Sequence, residues 1–81
     1  MNLEGKRVLV TGGAGFVGSH IIDQLLPEGC ATIVAIDNME RGRPANLHAA
    51  LQSGRVELRE GDIRDRDLME ELVSGSDLVF H

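Results

Sequence analysis

The segment VTGGAGFVGSH, residues 10–20, places four glycines between an aliphatic run and a helical pattern. Glycine weakens a strand or a helix, because it loses more backbone freedom on folding than any other residue. The run RVLVTG before the glycines is typical of a strand buried on both faces. After them, Val17, Ile21 and Leu25 repeat every four residues, which predicts a helix with these side chains buried. The sequence therefore predicts a glycine-rich turn that leads from a buried strand directly into a helix.

The same alternation continues along the chain. ATIVAID is a second aliphatic run, RVELREGD alternates apolar and charged residues, and DLVFH is a fourth short run. Between them, a helix is predicted from Pro44, because proline suits a first helical turn, with Leu47, Ala50 and Leu51 buried. The element order is therefore β-α-β-α-β-α-β.

A third helix is predicted after Asp65, a residue type that caps helix N-termini. Its predicted buried side chains are Leu68, Met69, Leu72 and Val73. Joined by right-handed crossovers, these elements predict an α/β fold: a partial Rossmann-type doubly wound parallel sheet of strand order 3-2-1-4. The alternating third strand is predicted to form an edge. Residues 1–81 are one small domain, since a chain of this size supports a single core.

Composition narrows the class of partner. The net charge is −5, and no cluster of lysine and arginine interleaves with aromatic residues, so no nucleic acid is expected. Cys30 is the single cysteine, and no apolar run has the length of a signal peptide or a membrane span. We therefore expect a cytoplasmic chain without a membrane partner. No metal site is predicted, because His48 has no suitable partner nearby.

The glycine spacing predicts a dinucleotide site and fits two patterns. Gly13, Gly15 and Gly18 satisfy G-x-G-x-x-G, whereas Gly12, Gly15 and Gly18 satisfy G-x-x-G-x-x-G. In both, the first glycine permits a tight turn, the second lets a pyrophosphate approach the backbone, and the third lets helix and strand pack closely. A Walker A loop is excluded, since no lysine follows Gly18.

The backbone amides of Gly15, Phe16 and Val17 are expected to face the diphosphate at the positive end of the helix dipole. Asp37 ends the second strand, where an acid accepts hydrogen bonds from the ribose hydroxyls and repels a 2′-phosphate. This favours NAD. Arg41 and Arg43 keep NADP open, because an arginine there can accommodate a phosphate.

GDIRD, residues 61–65, follows the third strand. Asp62 is a candidate to hold the adenine amino group, and Ile63 to pack on the adenine ring. A role for Asp62 in capping or in a turn stays open beside this one.

In this order and spacing, VTGGAGFVGSH, AIDN, GDIRD and DLVFH resemble the N-terminal part of an extended short-chain dehydrogenase/reductase. Within that superfamily, the chain is similar to the NAD-dependent sugar-nucleotide epimerase/dehydratase family over nearly its whole length. The resemblance implies NAD as cofactor and a Rossmann domain that binds NAD(P). It places the family's cofactor-binding positions on Gly12, Gly15, Gly18, Asp37, Asn38, Asp62 and Ile63.

The resemblance also implies chemistry that these 81 residues do not complete. Family members oxidise a hydroxyl of a nucleotide sugar by transient hydride transfer to NAD and use a Tyr-x-x-x-Lys pair. This sequence has no tyrosine, and its only lysine is Lys6. We therefore expect a fragment that binds NAD or ADP-ribose, contains no catalytic residue, and belongs to a longer enzyme that takes the nucleotide sugar.

Two other interpretations of the sequence stay open, and association between copies of the chain is expected. The chain could be a freestanding or engineered minimal Rossmann module without a catalytic role, or an S-adenosylmethionine-binding fold. A homodimer or higher oligomer is expected through the edge of the fourth strand, residues 77–81, because an unpaired apolar edge recruits another chain.

Overall fold

The computed structural model describes residues 3–81. Within them lie the strands β1 (Arg7–Thr11), β2 (Thr32–Asp37), β3 (Val56–Glu60) and β4 (Leu78–Phe80), and the helices α1 (Phe16–Leu25), α2 (His48–Gln52) and α3 (Arg66–Ser74). The strands form one sheet of order β3-β2-β1-β4, and every neighbouring pair is parallel. The predicted α/β class, strand order and edge position of β3 are confirmed.

The direction of winding reverses between β1 and β4. In the register of the sheet, Leu9 of β1 lies beside Val34 of β2 and Val79 of β4. The chain runs outward from β1 to β3 and then returns to β4 on the other side of β1. In doubly wound sheets, ligands bind outside the carboxyl ends of the strands at such a reversal. The loop after β1 occupies that place here.

Helices cover the two faces of the sheet unequally. On one face, α1 and α2 pack on alternate strand residues, and the buried cluster comprises Leu3, Val8, Val10, Ala14, Ile22, Leu25, Cys30, Ile33, Ala35, Leu47 and Ala50. On the other face, α3 packs on the intervening strand residues, and the buried cluster comprises Leu9, Val34, Ile36 and Leu72. No helix within residues 3–81 is long and apolar enough to cross a membrane.

The second helical segment differs from the prediction. Pro44–Leu47 forms a 3₁₀ turn, and α2 follows with only 5 residues, little more than one helical turn. Leu47 and Ala50 are buried as predicted, but Leu51 is 36% exposed and the prediction for it is wrong. Because α2 is so short, only one narrow face of it packs on the sheet, and Leu51 lies outside that face.

Two further predictions of burial are wrong, for Val17 and Val73, which are both exposed. In α1, Gly18 lies against the glycine loop, so the preceding Val17 points away from it. In α3, Leu72 takes the buried position and its neighbour Val73 turns to solvent. The predicted N-cap is confirmed, since an oxygen of Asp65 accepts the N–H of Leu68 at 3.1 Å.

Candidate functional site

The loop from Gly12 to Gly15, called the glycine loop below, joins β1 to α1. Gly12 has a φ of +64°, a conformation that side chains other than glycine's rarely adopt. Its N–H donates to the carbonyl of Ile36 at 2.8 Å, which ties the loop to the end of β2. A side chain at Gly18 would overlap the carbonyl of Gly12, so the start of α1 can pack here only without one.

The first turn of α1 presents free amides beside this loop. Gly15 is the N-cap, and its own N–H already donates to the carbonyl of Gly12 at 3.0 Å, so this amide is not free to face a diphosphate as the sequence predicted. The amides of Phe16, Val17 and Gly18 come next, and a helix leaves its first amides without intrahelical partners. The side chains of Phe16 and Val17 are 76% and 69% exposed. Amides without partners at the positive end of a helix dipole are able to hold an anion.

Asp37, at the end of β2, is buried and lies next to the glycine loop. One carboxylate oxygen, Oδ2, accepts the N–H of Ala14 at 3.1 Å, and the other, Oδ1, accepts the N–H of Met39 at 2.8 Å. Gly42 covers the carboxylate so closely that a Cβ there would lie 2.7 Å from Oδ2. Each carboxylate oxygen can accept a further hydrogen bond, so Asp37 retains capacity for a hydroxyl donor.

A cavity of about 120 Å³ opens beside Asp37 at the carboxyl ends of the strands. Four predicted site residues line it, with two others: Gly12, Ile36, Asp37, Asn38, Gly61 and Ile63. The structure thus brings together predicted residues from the loops after β1, β2 and β3. Five other predicted site residues do not line the cavity: Gly15, Phe16, Val17, Gly18 and Asp62. The first four lie at the start of α1, where Gly18 approaches Gly12.

Asp62 makes a turn and an ion pair. Its carboxylate accepts the backbone N–H of Arg64 at 2.8 Å, and the Arg64 guanidinium lies 2.7 Å from Oδ2. The side-chain hydrogen bond from Arg64, aided by the backbone one, lowers the pKa of Asp62 from 3.8 to about 2. The turn role that the sequence left open is therefore present, and the carboxylate is an ionised acceptor at neutral pH.

The sequence did not predict the residues that bind the carbonyl of Ala14 and so hold the glycine loop in place. The carbonyl of Ala14 accepts the N–H of Arg43 at 3.0 Å and the side-chain amide Nδ2 of Asn46 at 2.8 Å. No local signal marks this contact, because Asn46 lies 32 positions from Ala14 in the chain. Among residues 3–81, no three or more His, Cys, Asp or Glu side chains are grouped so that they could hold a metal ion.

Comparison with known proteins places the chain in a family. Residues 8–81 match the family model described as the NAD dependent epimerase/dehydratase family. The chain belongs to this family. The predicted resemblance is confirmed.

Among curated relatives, the chain is 42% identical over 76 residues to UDP-glucose 4-epimerase of Mycolicibacterium smegmatis, covering 93% of this chain and 24% of that protein. It is 47% identical over 75 residues to UDP-glucuronic acid decarboxylase 1 of Arabidopsis thaliana, covering 93% and 16%. The chain thus spans about a quarter or less of the length of these family members.

Solved structures of the family have the same fold. The crystal structure of the Bordetella bronchiseptica enzyme WbmF in complex with NAD⁺ matches with a TM-score of 0.85 and 33% identity, over 100% of this chain and 24% of that one. UDP-glucose 4-epimerase from Bifidobacterium longum, in complex with NAD⁺ and UDP, matches with a TM-score of 0.74 and 36% identity, over 90% and 23%. The partial Rossmann-type architecture is therefore that of the family.

Proposed function

We propose that this chain forms the half of an NAD-binding site that holds the adenosine diphosphate. One observation carries the proposal: Gly12 lines the cavity beside Asp37 and also packs against Gly18 at the start of α1. A single extended ligand lying across Gly12 would therefore reach both the free amides of α1 and the carboxylate of Asp37. The NAD complex of WbmF, whose fold this chain shares, supports this choice of ligand.

The donor and acceptor groups fit such a ligand. The first-turn amides of α1 would hold the pyrophosphate, because they are unpaired donors at a positive helix end. Asp37 would accept the ribose hydroxyls with Asn38 beside it, and the adenine would lie on Ile63 with its amino group toward Asp62. The proposed cofactor-binding residues are Gly12, Gly15, Phe16, Val17, Gly18, Asp37, Asn38, Asp62 and Ile63.

The proposed cofactor is NAD rather than NADP, since Asp37 would lie next to a 2′-phosphate. We assign residues 1–81 to the N-terminal part of an NAD(P)-binding Rossmann domain, with catalytic and substrate-binding parts supplied by the rest of a longer protein. Bound NAD supplies a nicotinamide that accepts a hydride and returns it. The names of the relatives, among them UDP-glucose 4-epimerase and UDP-glucuronic acid decarboxylase, support a nucleotide sugar as the substrate of that whole enzyme.

Calorimetry with NAD, ADP-ribose and nicotinamide mononucleotide tests the half-site. We expect NAD and ADP-ribose to bind with similar affinity, and nicotinamide mononucleotide to bind much more weakly. If nicotinamide mononucleotide binds as well as ADP-ribose, the assignment of the adenosine half is wrong. Tighter binding of S-adenosylmethionine than of NAD would favour a methyl-donor site, and no binding of any of these ligands would favour a module without cofactor.

We also propose that a second copy of the chain pairs along β4. The outer edge of β4 has no neighbouring strand within residues 3–81, and its residues Leu78, Val79 and Phe80 carry no charge. Val79 is 43% exposed on the face that α3 covers incompletely. An uncharged, unpaired edge is a template for another strand.

Sedimentation of the 81-residue chain at several concentrations tests this association. We expect a dimer or higher oligomer whose fraction rises with concentration, and Val79→Lys should shift the population to monomer. Val73→Lys is the matched control, because Val73 is equally exposed but lies on α3. A folded chain that stays monomeric at high concentration would contradict the proposal.

A further inference from the structure

We propose that Asn46 is a positioning residue for the diphosphate site: its side-chain amide holds the glycine loop in the conformation that presents the α1 amides. The inference rests on the proposed function, because it concerns how the same loop receives a diphosphate. Asn46 does not line the cavity, and it acts through Ala14.

Ala14 is fully buried at the centre of the glycine loop, and its two backbone polar groups are bonded to the last residue of β2 and to the connection that follows β2. Its N–H donates to Asp37, and its carbonyl accepts from the N–H of Arg43 and from the amide of Asn46. Because the Arg43 donor is a backbone group, Asn46 supplies the one side-chain donor to this carbonyl within residues 3–81. The hold on the loop therefore depends on the residue type at position 46.

The peptide group between Ala14 and Gly15 is held from both sides. Its N–H, that of Gly15, donates to the carbonyl of Gly12 at 3.0 Å, and its carbonyl, that of Ala14, accepts from Arg43 and Asn46. Glycine tolerates backbone conformations that other residues avoid, so a peptide next to Gly15 rotates at low cost. Gly15 is also the N-cap of α1 and accepts the N–H of Ser19 at 2.9 Å. Rotation of this peptide would break the hydrogen bonds to the Ala14 carbonyl. It would also move the start of α1, and with it the free amides of the first turn.

Two substitutions test the role of the amide. Asn46→Ala removes the donor, and Asn46→Asp keeps the shape but replaces the donor by a carboxylate, which is an acceptor when ionised and repels the Ala14 carbonyl. Loss of one hydrogen bond predicts a fall in affinity for ADP-ribose of about 3- to 10-fold for Asn46→Ala. The fall should be larger for Asn46→Asp. Affinity for adenosine, which lacks the diphosphate, should change less than 2-fold.

Arg55→Ala is the matched control. The Arg55 guanidinium donates to the carbonyls of Cys30 and Leu26, both at 2.7 Å, at the opposite end of β2. Its loss removes side-chain-to-backbone bonds of the same kind, so thermal stability should fall while the affinity for ADP-ribose stays within 2-fold. Hydrogen exchange of the Gly15 amide should speed up in Asn46→Ala and not in Arg55→Ala.

The outcomes separate this inference from the proposed function. If the unmodified chain does not bind ADP-ribose, the proposed function fails. If it binds, but both Asn46 variants retain its affinity, or Arg55→Ala lowers it equally, the role of Asn46 is refuted. If Asn46→Ala does not fold, the near-isosteric Asn46→Asp decides by its ratio of ADP-ribose to adenosine affinity.

Discussion

The two ends of the sheet both contain glycines, but those that bring parts of the chain into close contact lie at the carboxyl end. At the amino end, Gly5, Gly29 and Gly54 have φ values of +72°, +82° and +77°, with no atom closer than 3.6 Å to the place of a Cβ. At the carboxyl end, Gly13 and Gly18 have ordinary φ angles, but a Cβ on either would overlap its neighbours. Gly12, with a φ of +64°, also makes a turn at the carboxyl end, so glycine provides turns at both ends but allows close backbone contact at the carboxyl end.

The glycines at the carboxyl end leave backbone atoms, rather than side chains, at the surface there. Connections bond directly to each other at both ends. The N–H of Gly5 donates to the carbonyl of Gly29 at 3.0 Å at the amino end, and the N–H of Arg43 donates to the carbonyl of Ala14 at 3.0 Å at the carboxyl end. At the carboxyl end, Gly18 brings the start of α1 onto Gly12 and leaves the first amides of the helix free. Free amides beside a closely packed backbone suit the carboxyl end to a ligand that accepts hydrogen bonds.

The largest expected effect comes from Gly18→Ala. The added methyl group would overlap the backbone of Gly12, which cannot move aside as a flexible side chain can. We expect the free energy of unfolding to fall by about 1–3 kcal/mol, as for overpacked sites, and binding of ADP-ribose to be lost. Thermal unfolding and calorimetry measure the two effects.

Gly75→Ala is the control from the amino end, where the nearest atom to a new Cβ is 3.6 Å away. Its φ is −84°, so alanine fits, and the change in stability should stay within about 0.5 kcal/mol with binding unchanged. Equal losses from both substitutions would refute the contrast between the two ends.

The next effect is expected from Asp37→Ala. Two backbone amides, of Ala14 and Met39, lose their acceptor, and we expect a loss of stability of about 1–3 kcal/mol. A phosphate beside this carboxylate costs about 1–4 kcal/mol, depending on the effective dielectric constant. Affinity for NAD should therefore fall and the gap between NAD and NADP should narrow, as measured by calorimetry.

Asp77→Ala is the corresponding substitution at the amino end of the sheet and serves as the control for Asp37→Ala. The Asp77 carboxylate accepts the N–H of Arg7 at 2.8 Å, so its loss should cost about 0.5–1.5 kcal/mol of stability. The preference for NAD over NADP should not change. Equal affinity of the unmodified chain for both cofactors would contradict the role of Asp37 and would point to Arg41 or Arg43.

The smallest effect concerns the pH dependence of Asp62. Because Arg64 lowers the pKa of Asp62 to about 2, the ion pair stabilises the fold above pH 3.8, and this contribution is lost as the pH falls through 2. Arg64→Ala should return the pKa toward 3.8, as followed by NMR titration of the carboxyl carbon. An unchanged titration would show that the pair does not persist in solution.

Much of the local structure around the candidate site was predictable because its signals are local. The glycine spacing, Asp37 at the end of a strand and Asp65 before a helix each depend on neighbours within a few residues. The exposed positions of Val17, Leu51 and Val73 were not predictable, because helical periodicity marks an apolar stripe but not its width. That width depends on which strand residues lie beneath each turn.

The sequence by itself determined the element order, the parallel sheet and the glycine turn, since these follow from hydrophobic periodicity and from the short-range conformational preferences of glycine and proline. Only the tertiary structure decided that Ala14 is held by Asp37, Arg43 and Asn46. Hydrogen bonds across the sheet require a defined register between strands, and that register arises from packing of the whole core. The position of the glycine loop is therefore a property of the assembled fold.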